Sequence, residues 1–143
     1  MKRRLVLIIL AGLLAITSAA HSFCFEEAGK MYNINADLLR AIAFVESSFR
    51  PHVVNRSNKN GTYDFGLLQI NSSWAKIIGE EQWMKLGDPC QNVMVGAWIL
   101  AGCIERHGYT WEAVGCYNTP NKSRQKKYIA RVKKALGEII MKE

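Results

Sequence analysis

The stretch DLLRAIAFVESS, residues 37–48, decides the fold of this 143-residue chain. Its apolar residues recur at helical spacing and form one face: Leu38, Leu39, Ile42 and Val45. Asn35, just before the stretch, suits a helix N-cap, and Pro51, just after it, cannot continue a helix. The pattern therefore predicts a helix that begins after Asn35, buries one face and is stopped by Pro51.

Glu46 lies near the end of this helix, four residues after Ile42. That spacing puts its carboxylate on or beside the apolar face. Burial against apolar groups raises the pKa of a carboxyl group, so that it keeps its proton near neutral pH and can serve as a general acid. A glutamate at a helix end is by default a solvent-facing residue, so position alone leaves both interpretations open.

The rest of the chain also reads as mainly helical. Residues 52–63 are polar and turn-rich, with Asn60-Gly61 as a hairpin signal, and residues 62–70 are expected to be extended within a small hairpin. Four more helices are expected: 74–78 capped by Asn71 or Ser72, 89–107 started by Asp88-Pro89 and ended by Gly108, 111–118 capped by Thr110, and 123–141.

The last predicted helix has an apolar face and a basic face. Its core positions are Tyr128, Ile129, Val132, Leu136, Ile139 and Ile140. Its basic positions are Arg124, Lys126, Lys127, Arg131, Lys133 and Lys134. The basic face is either a solvated helix surface or a surface that binds an anionic polymer.

Residues 1–22 are predicted to be a cleaved signal peptide. Three basic residues precede the apolar run LVLIILAGLLAI, residues 5–16, and small residues follow at 17–20. The run is too short for a transmembrane anchor. Lipidation of Cys24 is a third interpretation, against which the large Phe23 argues. Removal of the signal leaves one domain, residues 23–143, with 16 basic and 12 acidic residues and a net charge of +4. This mild excess suits an anionic polymer such as a cell wall or a nucleic acid.

All four cysteines follow the predicted signal: Cys24, Cys90, Cys103 and Cys116. An even number in an exported chain indicates two disulfides, for which three connectivities exist. No spacing of cysteines or histidines supports a zinc site as the competing interpretation.

Three segments carry a family resemblance: AIAFVESSF at 41–49, FGLLQINSSW at 65–74 and AVGCYN at 113–118. In this order and spacing the chain resembles the lytic transglycosylases of the lysozyme-like superfamily. Their motifs run Glu-Ser, then Gly-Leu-Met-Gln-Ile-Asn, then Ala-Tyr-Asn. It is most similar to the small exported enzymes that accompany type III secretion, type IV pilus and conjugation machines. The resemblance implies a mainly α, lysozyme-like α+β fold, with a small β-hairpin region beside the substrate groove.

The resemblance also implies roles for residues of this chain. Glu46 matches the catalytic acid/base. The residues expected to bind substrate or to order the site are Ser47, Gly66, Leu67, Leu68, Gln69, Asn71, Tyr117 and Asn118. Residues 66–69 would form one wall of the groove, and a Tyr117 hydroxyl within reach of Glu46 would orient it. The family-like contexts of Cys24 and Cys90 imply that these two pair, which leaves Cys103 with Cys116.

Four positions depart from the family pattern. Leu68 replaces the usual methionine, a nearly volume-conserving change. Cys116 replaces a small residue before Tyr-Asn, and Thr119-Pro120 changes the groove floor.

Asp64, 18 residues after Glu46, is either a second carboxylate across the cleft, as in hen-type lysozyme, or a turn residue bonded to local backbone.

The expected activity is cleavage of the bond between N-acetylmuramic acid and N-acetylglucosamine in the periplasm, with a 1,6-anhydro end as product. No metal or cofactor is expected, and the predicted partners are peptidoglycan and a secretion or pilus machine, with the enzyme itself a monomer. Three alternatives stay open: a hydrolytic lysozyme that uses Glu46 and Asp64, a wall-binding module without catalysis, and a nucleic-acid-binding protein that uses the basic helix.

Overall fold

A computed structural model describes residues 23–142, so the predicted signal peptide, residues 1–22, lies outside the described residues. The seven α-helices within this part are α1 (Phe25–Tyr32), α2 (Ala36–Ser47), α3 (Ala75–Ile78), α4 (Glu80–Met84), α5 (Pro89–His107), α6 (Trp111–Asn118) and α7 (Lys122–Ile140). Three two-residue strands form β1 (Val54–Asn55), β2 (Asp64–Phe65) and β3 (Ile70–Asn71). Short 3₁₀ turns cover Ser72–Trp74 and Lys85–Gly87. The expected fold, mainly helical with a small β region, is confirmed.

Helix α2 begins as the sequence predicts, because the Asn35 side chain accepts hydrogen bonds from the backbone N–H groups of Asp37 and Leu38. It ends earlier than predicted. Ser48 takes a left-handed conformation with φ 51°, and Phe49 follows with φ 59°, so the helix stops before Pro51 is reached. The expectation that Pro51 stops the helix is therefore wrong. The early end leaves Glu46 in the last turn.

The small sheet is antiparallel in the order β1-β2-β3, with Phe65 opposite both Val54 and Ile70. The expected single extended piece at 62–70 is wrong. A tight turn at 66–69 separates β2 from β3, and the Gln69 N–H closes it onto the Gly66 carbonyl at 3.2 Å. A glycine with φ +84° at the start of the turn makes the sharp reversal possible.

Helix α5 runs through the centre of the domain and places Val93 and Leu100 in the core. The Asp88 side chain caps it, Pro89 is its first residue and Gly108 ends it, as the sequence predicts. Gly96 lets α5 approach the sheet, because a Cβ there would lie 2.2 Å from Leu68 Cδ1. This close contact fixes the turn at 66–69 against the helical body.

The last two helices match their predicted ranges closely, with three differences in detail. Thr110 precedes α6, but its side chain does not cap the helix and instead donates to the His107 carbonyl. Ile140 is exposed rather than in the core. Gln125, which was not expected in the core, is buried near the start of α7. Its side-chain amide donates to the Thr119 carbonyl at 2.8 Å. Among residues 23–142 no helix is long and apolar enough to cross a membrane.

Candidate active site

Glu46 is the last residue but one of α2, and its side chain is half-buried. The hydroxyl of Tyr128, on α7, donates to Glu46 Oε1 at 2.6 Å. Burial raises the pKa of Glu46 to about 7, although the Tyr128 hydrogen bond and the charge of Arg131 lower it; the charge of Asp64 raises it further. A carboxyl group with this pKa is protonated in a large fraction of molecules at neutral pH, which is the state that a general acid requires.

Two residues of α7, Tyr128 and Arg131, hold the end of α2. Arg131 donates from Nη2 to the Val45 carbonyl at 3.0 Å. Helix α2 has no basic residue in its own last turn, so Arg131 brings a positive charge to the negative end of that helix. The sequence pattern predicts Tyr128 only as a core residue and Arg131 only as part of the basic face. Their spacing of three residues, one helical turn, was the signal that they could act on the same neighbour.

The sequence predicts that the Tyr117 hydroxyl contacts Glu46, but the hydroxyl that does so belongs to Tyr128. Tyr117, on α6, donates instead to the Leu68 carbonyl at 2.6 Å. Burial raises the pKa of Tyr117 well above its usual value, and the charges of Glu46 and Asp64 add to this rise. The pKa of Tyr128 is raised in the same way, first by burial and then by Glu46. Both hydroxyls therefore keep their protons and remain donors.

The turn at 66–69 is held by polar side chains from the helices. The hydroxyl of Ser47, which is buried, shares its hydrogen bond between the carbonyls of Ala43 at 3.0 Å and Leu67 at 2.9 Å. The next carbonyl of the turn, that of Leu68, is the acceptor for Tyr117. Ser47 directly follows Glu46 in the chain, so this contact fixes the catalytic candidate relative to the turn.

Asn92, on α5, is the buried polar residue that the sequence analysis missed. Its Oδ1 accepts from the Leu68 N–H at 2.9 Å, and its Nδ2 donates to the Phe65 carbonyl at 3.0 Å. The side chain fits because residue 66 is glycine: a Cβ there would lie 2.1 Å from Asn92 Nδ2. An asparagine in the first turn of a long apolar helix was the available signal, since a buried amide requires hydrogen-bond partners.

The residues at 66–69 that were expected to form one wall of the groove differ in how far they are buried. The side chains of Leu67 and Leu68 are fully buried, so they belong to the core and do not face a groove. Gln69 is half-buried in a left-handed conformation, φ 48°, and its amide donates to the carbonyls of Val53 and Gly66. Within the turn Gln69 is therefore the partly exposed residue, whereas Gly66, Leu67 and Leu68 are buried.

Asp64 lies in strand β2 and not in a turn. Its two carboxylate oxygens accept from the side-chain amides of Asn71 at 2.7 Å and Asn58 at 3.0 Å. The partners are side chains and not the local backbone, so the local turn role considered from the sequence is wrong. Asn71 also accepts from the Ser73 N–H, so it links Asp64 to the segment after β3. The charge of Asp64 contributes to the raised pKa of Glu46, as its smallest cause.

Both disulfides have the pairing that the resemblance implied. Cys24 bonds Cys90 and so ties the start of the domain to α5, and Cys103 bonds Cys116 between α5 and α6. Cys116 directly precedes Tyr117, so the second disulfide fixes the helix turn that carries this tyrosine. Asn118 is exposed at the end of α6.

Comparisons with known proteins agree with this geometry. Residues 23–140 match the family model described as transglycosylase SLT domain. The invasion protein IagB of Salmonella typhimurium is 42% identical over 130 residues, which cover 87% of this chain and 80% of that protein. Protein IpgF of Shigella flexneri is 39% identical over 107 residues, 73% of this chain and 70% of that protein. A peptidoglycan-binding-like protein of Escherichia coli O157:H7 is 36% identical over 140 residues, 91% and 84% of the two chains. With its helical body, small sheet and half-buried Glu46, the chain belongs to the transglycosylase SLT domain family, whose members are lytic transglycosylases that act on peptidoglycan.

Proposed function

We propose that Glu46 is the acid/base of this lytic transglycosylase and cleaves the β-1,4 bond between N-acetylmuramic acid and N-acetylglucosamine. The protonated carboxyl first gives its proton to the bridging oxygen while the bond from that oxygen to C1 breaks. The resulting carboxylate then takes the proton of the muramoyl C6 hydroxyl, and the C6 oxygen bonds C1. The product is a 1,6-anhydro end, no water is consumed, and Glu46 is protonated again.

The observation that supports this role is the pKa of Glu46, raised to about 7 by burial. The same group must be an acid in the first step and a base in the second, and a pKa near neutral pH serves both. Tyr128 orients the carboxyl group through its hydrogen bond at 2.6 Å. The Tyr128 hydrogen bond and the charge of Arg131 prevent a still higher pKa, which would make Glu46 a weaker proton donor in the first step.

Asp64 supports the positive charge that develops on the sugar ring. Its carboxylate is held in place by the amides of Asn58 and Asn71, which are neutral and form no salt bridge with it. This charge favours an oxocarbenium-like transition state. The same residue is the basis of the second candidate function, a hydrolytic lysozyme in which water replaces the C6 hydroxyl.

The glycan strand lies along the turn at 66–69 and the end of α6. Gln69, Asn71 and the exposed Asn118 are the polar side chains that contact sugar. Ser47 and Tyr117 act indirectly, since their hydroxyls are engaged by the carbonyls of Leu67 and Leu68.

The enzyme works in the periplasm as a monomer after removal of the signal peptide, and it opens the wall locally for a secretion or pilus machine. Peptidoglycan lies in that compartment, and the two disulfides suit its oxidising conditions. The resemblance to transglycosylases that accompany such machines supports the role in assembly. These machines span the envelope and need a gap in the peptidoglycan layer.

The decisive experiment is mass spectrometry of fragments released from purified sacculi by residues 23–143, with Glu46→Gln in parallel. Anhydro-ended fragments from the unaltered protein alone are the expected result. Products one water heavier would indicate hydrolysis that uses Asp64 and would contradict the transglycosylase mechanism. Equal cleavage by Glu46→Gln would contradict the role of Glu46 as the catalytic acid/base.

A further inference from the structure

A groove lies at the end of α2 that is remote from Glu46. Its larger part, about 690 Å³, is bordered by α1 and the start of α2, including Lys30, Asn33 and Asn35. Its smaller part, about 270 Å³, lies between α2, α6 and α7. Asn35 and Tyr109 border both parts, so the two parts are adjacent, and together they are called the Tyr109 groove.

Two aromatic side chains are exposed in the Tyr109 groove. Tyr109 is 54% and Trp111 is 37% exposed, which is more than is usual for large aromatic side chains. Tyr109 is held in place because its hydroxyl accepts from the Asn35 N–H at 2.8 Å. Rigid, half-exposed rings with polar neighbours suit a ligand that has one apolar face and many hydroxyls, which is the character of a pyranose ring.

The smaller part of the groove is apolar at its base, where Leu38, Val114 and Leu136 meet. Such a recess takes a methyl group, as in the acetamido group of an N-acetylhexosamine. A donor stands at its rim: Asn35 uses its Oδ1 for the N–H groups of Asp37 and Leu38, and its amide nitrogen has no partner among the described residues. That nitrogen can donate to the acetamido carbonyl of the same sugar.

Basic side chains flank the aromatic rings. The Lys133 ammonium lies 4.9 Å from the centre of the Trp111 ring, and Lys30 borders the larger part of the groove. The acidic Glu26 also borders it, but Glu26 is paired with Arg40. The free charge of the groove is therefore positive, which complements the lactyl carboxylate that distinguishes N-acetylmuramic acid from N-acetylglucosamine.

We propose that the Tyr109 groove is a second, non-catalytic site that binds the N-acetylhexosamine strands of peptidoglycan. Asn35 and Glu46 stand 11 residues apart along α2, about 16 Å at the rise of an α-helix, so both sites can be occupied together. A second contact keeps the enzyme on an insoluble polymer between cuts and raises the local concentration of bonds at Glu46. This inference shares with the proposed function the substrate class but not the catalytic residues.

The test is co-sedimentation with purified sacculi, with Glu46→Gln as the parent protein so that the polymer stays intact. Trp111→Ala in this parent is expected to weaken binding roughly tenfold, since a central aromatic contact is removed. Tyr109→Ala is a second variant with the same expectation. Trp98→Ala is the matched control, because Trp98 is 39% exposed and lies outside the groove. Thermal unfolding of each variant checks that the domain still folds.

Unchanged binding by both Trp111→Ala and Tyr109→Ala would overturn the proposal and assign the groove to another class of partner. Cleavage provides a second measurement in proteins that keep Glu46. Trp111→Ala should lower the rate on sacculi and leave the rate on short soluble glycan fragments unchanged. Failure of the unaltered protein to cleave either substrate would refute the catalytic proposal, while the sedimentation result would still decide the second site.

Discussion

The Tyr128 hydroxyl on α7 donates a 2.6 Å hydrogen bond to the carboxyl group of Glu46 on α2, across 82 residues of sequence. The bond joins the two helices at the point where the proton of the reaction is held. It lowers the pKa of Glu46 while burial raises it, and the balance leaves the group near neutrality. The contact therefore both orients the acid and limits its pKa.

Removal of the Tyr128 hydroxyl tests this balance. In Tyr128→Phe the pKa of Glu46 should rise above about 7, because the hydrogen bond that lowers it is lost. Activity depends on protonated Glu46 in the first step, so the fall in rate on the alkaline side should move to higher pH. The maximal rate should fall about tenfold or more, since the carboxyl is less well oriented. The measurement is the pH dependence of anhydro-product release.

Tyr117→Phe is the control for this prediction. It removes a buried hydroxyl that donates to the Leu68 carbonyl rather than to Glu46, and its rate is measured at the same pH values. Its alkaline limb should stay where the unaltered enzyme has it. A limb that moves equally in both variants, or in neither, would contradict the role of the Tyr128 contact.

Glu46→Gln should make the folded protein more stable at pH 8 and leave its stability near pH 4 almost unchanged. The pKa of Glu46 is raised from 4.5 to about 7 in the folded state, so the folded protein binds the proton more tightly. The stability linked to this proton is fully present below pH 4.5 and is lost as the pH rises through 7. Glutamine does not ionise, and the difference at pH 8 should be about 3 kcal/mol.

Urea unfolding at pH 4, 6 and 8 measures this difference. The gain of Glu46→Gln over the unaltered protein should grow with pH across this range. Equal stabilities at pH 8 would mean that the ionised carboxylate carries no burial cost in the folded protein, and the raised pKa would then be wrong. Such a gain combined with lost cleavage is the usual sign that a strained active-site group was replaced.

Gly66→Ala should destabilise the domain by about 3 kcal/mol or more. The new Cβ would lie 2.1 Å from Asn92 Nδ2 and would require a positive φ of +84°. Gly61→Ala is the matched control: its φ is +77°, but no atom lies within 4 Å of the added Cβ. Its cost should be about 1 kcal/mol, from backbone strain alone. Thermal or urea unfolding gives both values, and similar costs for the two would show that Asn92 does not hold the turn.

Loss of the second disulfide should affect both stability and catalysis. The double change Cys103→Ala with Cys116→Ala opens a loop of sequence separation 13 and should cost about 3 kcal/mol of stability. Activity should fall even under conditions where the domain stays folded, because Tyr117 directly follows Cys116 and holds the Leu68 carbonyl. Sacculus digestion well below the unfolding midpoint checks this. Full activity in the folded double variant would limit the disulfide to a structural role.

The sequence determined much of this protein by itself. The apolar spacing and the caps at Asn35 and Asp88 specify α2 and α5, because helix formation depends on local pattern and on hydrogen bonds within a few residues. The position of Glu46 at the end of an apolar helix follows from the same local rules. Together with the motifs around residues 66 and 117, these features also indicated the family that the comparisons confirm.

Only the tertiary structure decided which groups surround Glu46. The choice of Tyr128 over Tyr117 depends on how α7 crosses α2, and the roles of Arg131 and Asn92 depend on packing between segments far apart in the chain. The burial of Leu68 depends on the close approach of α5 at Gly96. Such contacts join residues tens of positions apart, so no local spacing records them. The pKa of the catalytic candidate is a property of that assembly, since burial is its largest cause.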